Sequence, residues 1–304
     1  MNIDASLLMQ AAQAAAGGQQ YPAGTLYLVP TPIGNLADVS LRSLHVLALV
    51  DAVACEDTRV SGQLLHHLGL HKPLISLHQH NEQSASAALV ARLQAGERIA
   101  YVSDAGTPAV SDPGAVLVAA VSQAGLRVMP LPGPSAVVTA LSAAGDTRAQ
   151  GFAFAGFLPP KGQERRTRLQ ALLGSAQSQV LFEAPHRIAN LLDLLAELAP
   201  AQTLSVCREL SKQFETVHTG PAADMPAWLA ADPQRERGEF VLVLHAEPPQ
   251  AASEALPPEV TRMLERLLQE LPLKQAVQIA TDLSGLPRNS LYEAGLQMKK
   301  AAEA

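Results

Sequence analysis

Apolar and polar positions in the first half of the chain follow a pattern typical of strands separated by helices. From Thr25 to Gly145, short apolar runs alternate with amphipathic segments, and several of these segments close on glycine, as helix ends often do. Strands are predicted at Leu26–Pro30, Ala52–Cys55, Leu74–Leu77, Ile99–Ser103 and Val128–Leu131, and helices at Leu41–Leu49, Gly62–Leu68, Ser84–Leu93, Ala115–Ala124 and Ser135–Ala144. This order predicts a parallel sheet wrapped by helices.

The pattern changes beyond Gly151. Three phenylalanines, at 152, 154 and 157, come before a basic helix-like segment and a second set of apolar runs. Strands are predicted at Val180–Phe182, Leu204–Cys207, Thr216–Thr219 and Phe240–Leu244. Because the later runs follow each other too closely for helical crossovers, this second sheet is predicted to be mixed.

The last part of the chain is predicted to be a linker followed by a small helical tail. Residues 247–258 include four prolines, and helical patterns follow at Val260–Leu271, Lys274–Leu283 and Arg288–Gln297. The turn at 284–287 resembles that of a helix-turn-helix, although many helical hairpins share it. The predicted organisation is a disordered extension (1–24), two α/β domains (25–133 and 134–246), a linker (247–258) and a helical tail (259–304).

The composition argues against a membrane-spanning or secreted protein. The chain has 304 residues, enough for two α/β domains, and no uncharged apolar run approaches the roughly 18 residues of a membrane span. The start lacks a basic region followed by a strongly apolar core, so no secretory signal is expected. Cys55 and Cys207 both lie in apolar, strand-like runs, which favours reduced thiols and a cytoplasmic protein.

The net charge and the spacing of the histidines bear on two kinds of ligand, nucleic acids and metal ions. The net charge is −6, so binding to a nucleic acid would require a local basic surface. The histidines at 66, 67, 71 and 78 have no coherent set of further ligands around them, so no metal is expected.

Glycine- and proline-rich loops follow several of the predicted strands. The longest is 101–114, and others lie at 30–34, 130–135 and 183–186. Because ligands bind at the carboxyl ends of strands in open α/β sheets, these loops predict a shared cleft. A turn-rich connector with an aspartate at a helix N-terminus is the alternative for any one loop. The dinucleotide fingerprint Gly-x-Gly-x-x-Gly and a Gly-Lys-Ser/Thr phosphate loop are both absent from the sequence.

These segments resemble the tetrapyrrole methylase superfamily. The resemblance rests on Pro30-Thr-Pro-Ile-Gly-Asn-Leu36, Glu56-Asp-Thr-Arg59, His80-Asn-Glu82, Ser103-Asp-Ala-Gly-Thr-Pro108, Ser111-Asp-Pro-Gly114, Phe182-Glu-Ala-Pro-His-Arg187 and Cys207-Arg-Glu-Leu210. It covers residues 25 to 245 and is closer to the branch that 2′-O-methylates a cytidine in the decoding region of 16S ribosomal RNA. It implies two αβα domains with S-adenosylmethionine in the cleft between them, a homodimer, and 16S RNA or the 30S subunit as substrate.

The resemblance also implies which residues bind the cofactor. They lie in the loop after the fourth strand, in the turn before the helix that follows the fifth, and at three further positions on the cleft. The expected contacts are Pro32, Ser103, Asp104, Ala105, Gly106, Thr107, Pro108, Ser135, Ala136, Glu183 and Ala184. Small residues would allow the backbone to approach the ligand. The Asp104 carboxylate would accept hydrogen bonds from a hydroxyl or ammonium group of the cofactor.

Candidate catalytic groups follow the second strand. Glu56 or Asp57 could accept the proton of a ribose hydroxyl, and Arg59 could bind a phosphate through its planar guanidinium. A helix N-cap with an internal ion pair is the alternative interpretation of the same residues. The sequence does not decide which carboxylate would take the proton.

Candidate RNA contacts lie on loops and on a basic segment. They are Asn35, His80, Asn81, Glu82, Lys161, Arg165, Arg166, His186, Arg187, Arg208 and Lys212. A run of charge is more often a solvated helix face, and an isolated surface histidine is often inert. Because the chain has one Trp and four Tyr, RNA recognition is expected to depend on shape, backbone and 2′-hydroxyls.

Two other functions fit the same pattern. A tetrapyrrole methyltransferase would require an apolar, porphyrin-sized cleft in place of the polar loops at 56–59 and 80–82. A non-catalytic RNA-binding assembly factor would keep the cofactor fold and bind RNA without methyl transfer. The polar loops favour RNA over a tetrapyrrole.

Overall fold

The computed structural model describes residues 5–78, 81–111, 113–247 and 256–302. These fall into two compact units. The described residues within Met1–Thr147, Phe152–Leu173 and Ser178–His245 form the first unit, and those within Arg148–Gly151, Gly174–Gln177 and Ala246–Ala304 form the second.

The first unit contains a parallel sheet built from the first half of the chain. Its strands in the described residues are β1 (Thr25–Leu28), β2 (Ala52–Cys55), β3 (Leu74–Ser76), β4 (Ile99–Val102) and β5 (Arg127–Pro130), in the order β3-β2-β4-β1-β5. Every neighbouring pair is parallel, which confirms the prediction from the alternating pattern. All five strands therefore present their carboxyl ends at one edge.

Helices cover both faces of this sheet. They are α1 (Ala5–Ala16), α2 (Leu41–Leu49), α3 (Thr58–His67), α4 (Glu82–Gln94) and α5 (Ala115–Gln123). Alternate strand residues point to opposite cores: Tyr27 and Val53 pack with α2 and α3, whereas Leu26 and Ala54 pack with α4 and α5. This burial on both faces explains why the strands are apolar throughout.

Residues 5–16 are helical, so the expectation of a disordered extension at 1–24 is wrong for this segment. Helix α1 buries Ala12 and Ala16 in the core that it shares with α2. Tyr21 continues this packing, because its ring lies 4.9 Å from that of His45 and its hydroxyl donates to Ala16 O. Small alanines let the two helices approach closely. A search for large apolar side chains in the sequence does not detect packing of this kind.

The second sheet of the first unit is mixed, as predicted. Its strands in the described residues are β6 (Phe152–Phe157), β7 (Ser178–Glu183), β8 (Thr203–Arg208), β9 (Thr216–Pro221) and β10 (Phe240–Leu244), in the order β6-β7-β10-β8-β9. Strands β6 and β7 are parallel and the other pairs are antiparallel. The fold is therefore α/β with two sheets, in agreement with the predicted class.

Helices also cover both faces of the second sheet. They are α6 (Ala136–Ala144), α7 (Gly162–Gln170), α8 (Ile188–Leu198) and α9 (Met225–Ala230). Helix α6 packs on one face and the other three pack on the opposite face. Helix α8 is not among the predicted helices, although its buried positions 188, 191, 192 and 195 have helical spacing.

The second unit is mainly helical. Its helices are α10 (Pro258–Glu270), α11 (Leu273–Ser284) and α12 (Arg288–Ala302), close to the predicted bounds. They bury a small core of their own around Leu264, Val277 and Leu291. Helix α11 ends at Gly285, whose φ of 69° is left-handed and suits glycine. Most of the predicted linker, 248–255, lies outside the described residues.

The edge of the first sheet provides a crevice for a ligand. Strands β1 and β4 are neighbours, yet the helix that follows β1 (α2) packs on one face of the sheet and the helix that follows β4 (α5) packs on the other. Loops that depart to opposite faces leave a gap at the carboxyl ends of two adjacent strands. In the described part of the chain, no helix has the length and apolar character needed to cross a membrane.

Candidate active site

A cavity of about 460 Å³ lies where loops of the first sheet meet the second sheet. We call it the main cavity. Its lining residues are Ile33, Glu56, Asp104, Ala105, Gly106, Thr107, Val110, Ser111, Ser135, Ala136, Val137, Phe157, Phe182, Glu183, Ala184, Pro185, Leu210, Glu239, Phe240 and Val241. This volume falls within the roughly 300–1,000 Å³ of ordinary small-molecule sites.

Backbone hydrogen bonds fix the loops around the main cavity. Thr31 and Gly106 exchange two backbone hydrogen bonds of 3.0 Å, and Thr31 Oγ1 donates to Ser103 O. Thr107 Oγ1 donates to Pro134 O across the gap to the loop after β5. Three separate loops are therefore joined into one rigid wall before any ligand binds.

The main cavity has the size and lining expected for a nucleoside-containing cofactor. Ala105, Gly106, Ser135 and Ala136 leave the backbone accessible, and a Cβ at Gly106 would lie 3.3 Å from Ile33 Cγ2. Phe157 and Phe182 add aromatic surface, with ring centroids 5.7 Å apart. An apolar wall with a few carboxylates is the usual composition of such a site.

The predicted cofactor contacts are divided between the cavity wall and its support. Eight of them line the main cavity: Asp104, Ala105, Gly106, Thr107, Ser135, Ala136, Glu183 and Ala184. Ser103 is buried, and its Oγ lies within hydrogen-bonding distance of the backbone oxygens of Ala105 and Gly106, so it shapes the loop from behind. Pro108 is also buried, and Pro32 borders a smaller pocket.

Glu183 does not direct its carboxylate at a ligand. Its side chain is fully buried and lies 2.7 Å from Arg165 and 2.9 Å from Arg187. Arg187 also donates to Leu158 O. Glu183 therefore borders the main cavity as predicted, while the two guanidiniums occupy its carboxylate and fix the chain behind the cavity.

The four residues after β2, Glu56 to Arg59, which we call the tetrad, have two different roles. Glu56 borders the main cavity, whereas Asp57 caps α3 by accepting the backbone N–H of Arg59 at 2.8 Å. The Arg59 guanidinium also donates to both carboxylate oxygens of Asp57, at 3.1 and 2.6 Å. These hydrogen bonds lower the pKa of Asp57 to about 2, so this carboxylate is a poor proton acceptor near neutral pH.

Asp104 connects the two carboxylate-bearing loops. Its Oδ1 accepts the backbone N–H of Asp57 at 3.2 Å, which ties the loop after β4 to the loop after β2. Asp104 is exposed and borders the main cavity together with Glu56. Two carboxylates that follow adjacent strands thus face the same space.

A smaller pocket of about 240 Å³ adjoins Asp104. We call it the side pocket. Its lining residues are Thr31, Pro32, Gly34, Leu36, Val60, Gln63, Leu64, His67 and Asp104. Asp104 is the residue that the side pocket and the main cavity share.

Several predicted RNA contacts instead hold the fold together. Glu82 accepts the backbone N–H groups of Gly114 and Val116 at the start of α5. Asn81 bridges His78 N and Ser76 O, and Asn35 caps a short 3-10 helix at Leu36–Asp38. The predictions for Asn81 and Glu82 overlooked these structural roles, and His80 lies outside the described residues.

Two of the predicted basic contacts are buried and committed to internal partners. Arg165 pairs with Glu183, and Arg208 donates to the backbone oxygens of Arg237 and Phe214. Both residues are largely buried, at 4% and 8% exposure, although Arg165 still borders a depression beside α7, and the RNA contact expected of both stays a prediction. Charge density in the sequence could not distinguish a buried arginine from an exposed one.

The remaining basic candidates stay near the surface. Lys161 and His186 are exposed, and Arg166 pairs with Glu197 at 2.8 Å. Lys161 and Arg166, together with Arg187, line an open depression beside α7.

Lys212 is held between two carboxylates. Its Nζ lies 3.0 Å from Glu209 and 2.9 Å from Glu239. Burial favours its neutral form, but the hydrogen bonds to Glu239 and Glu209 outweigh this effect and raise the pKa of Lys212. The lysine is therefore cationic at neutral pH but already paired.

Several lining residues were not predicted from the sequence. Phe157, Phe182, Leu210 and Glu239 border the main cavity although none of them was among the expected cofactor contacts. Phe157 is 60% exposed, which is unusual for a phenylalanine in a strand and gave no signal in the sequence. Among the residues that the structure describes, no cluster of three or more His, Cys, Asp or Glu side chains has the arrangement of a metal site.

Comparison with known proteins gives family matches over most of the chain. A family model described as Tetrapyrrole (Corrin/Porphyrin) Methylases matches residues 25–226, and one described as RsmI C-terminal HTH domain matches residues 254–299. Ribosomal RNA small subunit methyltransferase I of Escherichia coli O157:H7 is 45% identical, over 91% of this chain and 96% of its own length. The protein of the same name from Vibrio cholerae is 45% identical, over 90% and 94%.

Solved structures support the fold. A uroporphyrin-III C-methyltransferase from Thermus thermophilus has a TM-score of 0.51 and 24% identity, covering 77% of this chain and 99% of that one. Another structure described as a uroporphyrin-III C-methyltransferase from Thermus thermophilus, complexed with S-adenosyl homocysteine, has a TM-score of 0.51 and 17% identity, covering 73% and 97%. At these identities the likeness shows the fold alone.

Proposed function

Because the chain belongs to the ribosomal RNA small subunit methyltransferase I family, which has the tetrapyrrole methylase fold, we propose that it methylates the 2′-hydroxyl of a cytidine in the decoding region of 16S ribosomal RNA. The family's activity is S-adenosylmethionine-dependent methylation of ribosomal RNA. The proposal adds to this activity the methylated position, the 2′-hydroxyl, and the nucleoside, a cytidine of the decoding region.

The observation that carries this proposal is the pair of carboxylates on the wall of a nucleoside-sized cavity. Glu56 and Asp104 follow β2 and β4, which are neighbours in the sheet, and both border the main cavity. The loops that hold them are joined by the hydrogen bond from Asp57 N to Asp104 Oδ1. A hydroxyl bound at this wall would meet a proton acceptor whose position is set in advance.

The cofactor would be held by the loops that line the main cavity. Ala105, Gly106, Thr107, Ser135 and Ala136 offer backbone groups and small side chains to it, and Ala184 adds to the opposite wall. S-adenosylmethionine supplies an electrophilic methyl group when bound. Phe157, Phe182 and Val241 make this wall apolar, which excludes water from the reacting groups.

Glu56 is the proposed proton acceptor. A ribose hydroxyl is a weak nucleophile, and a positioned general base contributes about 10²- to 10⁴-fold to the rate. Asp57 is unsuited to this role because its carboxylate is already engaged by Arg59. Its proposed role is to hold Arg59, whose side chain is 86% exposed and accessible to an RNA phosphate.

The RNA backbone is proposed to contact the exposed basic groups of the second sheet. Lys161 lines the depression beside α7 together with Arg166 and Arg187, and the exposed His186 precedes Arg187 in the chain. Phosphate contacts of this kind orient an RNA without reading its sequence. Since the net charge is −6, this local surface would supply the attraction that the protein as a whole lacks.

The test is transfer of labelled methyl from S-adenosylmethionine to 30S subunits and to free 16S RNA from an unmethylated strain. Nuclease digestion then identifies the product, and 2′-O-methylcytidine is expected. Labelled RNA with a different methylated nucleoside would overturn the position proposed here. Cofactor binding with no transfer to either RNA would favour a small-molecule acceptor or a non-catalytic role.

Two variants test the role of Glu56. Glu56→Gln is expected to lower kcat by about 10²- to 10⁴-fold without changing the Kd for S-adenosylmethionine. Asp57→Asn is the matched control, because asparagine is also a good helix cap and the substitution removes the neighbouring carboxylate instead. A larger loss of kcat in Asp57→Asn than in Glu56→Gln would reverse the assignment.

A further inference from the structure

The side pocket is a second binding space beside the main cavity. Both spaces are bordered by Asp104, so a group in one lies next to a group in the other. Methyl transfer requires its two reactants to occupy adjoining but separate positions in line. If the cofactor occupies the main cavity, the acceptor is expected in the space on the other side of this carboxylate.

The side pocket has the size and walls of a site for one nucleoside. Its volume of about 240 Å³ is below the roughly 300–1,000 Å³ typical of drug-sized ligand sites. Leu36, Val60 and Leu64 give it apolar walls, and Val60 is 40% exposed. Such walls suit the face of a base that has been displaced from its stack in the RNA.

One face of α3 supplies most of the pocket's chemistry. Val60, Gln63, Leu64 and His67 are spaced i, i+3, i+4 and i+7, so they lie on the same side of the helix. Gln63 and His67 are both exposed at the pocket. An amide and an imidazole one helical turn apart present neighbouring donors and acceptors.

The hydrogen bonding of His67 fixes which ring nitrogen carries the proton. Its Nδ1 lies 2.7 Å from Gln63 O, and a carbonyl oxygen can only accept, so Nδ1 is the donor. In the neutral ring, Nε2 is then a hydrogen-bond acceptor. Cytosine has an amino group at position 4 where uracil has a carbonyl oxygen, so an acceptor there favours cytosine.

Building on the proposed RNA methylation, we propose that the side pocket receives the target nucleoside. Gln63 and His67 bind the edge of its pyrimidine base. Its ribose lies beside Asp104 at the boundary with the main cavity, so that the 2′-hydroxyl reaches towards Glu56. Nε2 of His67 accepts from the 4-amino group, and the Gln63 amide pairs with the neighbouring ring positions. The pocket thereby selects cytidine over uridine.

The test uses the full chain with particles that carry cytidine or uridine at the target position. Gln63→Ala and His67→Ala are each expected to lower kcat/KM for the cytidine RNA about tenfold, as one lost hydrogen bond would. His67→Ala should also reduce the preference for cytidine over uridine about tenfold. Val60→Trp, which fills the pocket, should abolish transfer, and the Kd for S-adenosylmethionine should stay within about twofold in all three.

His66→Ala is the matched control, because His66 is exposed on the same helix and is not among the residues that line the side pocket. Wild-type kcat/KM and cytidine preference in Gln63→Ala and His67→Ala would overturn the proposal. So would a raised Kd for S-adenosylmethionine with unchanged KM for RNA, since the pocket would then serve the cofactor. If the wild type transfers no methyl to RNA, the proposed function fails and this proposal with it; normal wild-type transfer with unaffected variants overturns only the pocket assignment.

Discussion

Asp57 and Arg59 are joined by three hydrogen bonds within one turn of chain. The Asp57 carboxylate accepts the backbone N–H of Arg59 at 2.8 Å and two guanidinium N–H groups at 3.1 and 2.6 Å. The backbone of Asp57 in turn donates to Asp104. This arrangement commits Asp57 to structure and leaves Glu56 as the carboxylate of the tetrad that borders the main cavity.

Arg59→Ala is expected to raise the pKa of Asp57 from about 2 towards its ordinary value of 3.8. The rise should be partial, because the backbone N–H at position 59 remains. Since the folded pKa of Asp57 is depressed, its contribution to stability is present above the ordinary pKa and is lost as the pH falls through about 2. Carboxyl carbon NMR titration measures the shift. Arg92→Ala, which breaks the separate pair with Glu97, should leave the pKa of Asp57 unchanged.

Gly114→Ala is expected to destabilise the fold by about 2–5 kcal/mol, from left-handed strain and overpacking together. Gly114 has a φ of 126°, and an added Cβ would lie 2.3 Å from Tyr101 Cε1 in the buried core. Gly125→Ala is the control, because its φ is 70° but no atom lies within 4 Å of the added Cβ. Urea denaturation gives both free energies of unfolding. Equal losses would show that the contact with Tyr101 relaxes at no cost.

Glu183→Gln is expected to lower the free energy of unfolding by about 3–5 kcal/mol. The substitution removes the charge that Arg165 and Arg187 share in a buried setting. Glu197→Gln breaks the exposed pair with Arg166 and should cost less than about 1 kcal/mol. If thermal and urea denaturation give similar losses for the two variants, the buried cluster does not support the cavity wall as described.

The thiol of Cys207 is expected to stay protonated and unreactive in the native protein. Burial, with a smaller effect of Glu215, raises its pKa to about 12. The unfolded thiol ionises near 9, so this group's contribution to stability is complete below pH 9 and is lost as the pH rises from 9 towards 12. Stability measured over this range should fall less in Cys207→Ala than in the wild type. Rapid reaction of Cys207 with Ellman's reagent at pH 8 without denaturant would contradict the expectation.

Much of the fold could be predicted from local patterns. The predicted strands at Ala52–Cys55 and Phe240–Leu244 have the observed bounds, because a short apolar run between polar segments fits a buried strand. Helix α1 was missed because its alanines pack through close approach and leave no stripe of large side chains. Helix α8 does have such a stripe, at positions 188, 191, 192 and 195, so the sequence contains the signal for this helix.

The position of the candidate site could be predicted from the sequence, but the partners of its charged side chains could not. A parallel sheet must bring the ends of its strands to one edge, so the loops at 30–34, 56–59 and 103–108 were expected together. Which of the charged side chains face the main cavity depends on their partners. Arg165 and Glu183 satisfy each other in the interior, and Glu82 caps a helix that begins more than thirty residues later.

The sequence by itself determined the classes of element, the parallel first sheet, the mixed second sheet and the loops that carry the chemistry. These depend on short-range periodicity and on glycine and proline, whose effects are local. Only the tertiary structure decided that Glu56 faces the main cavity while Asp57 does not, and that Gln63 and His67 border a pocket beside Asp104. The reason is that exposure and hydrogen bonding of a charged side chain are set by residues distant in sequence, whose positions no local pattern specifies.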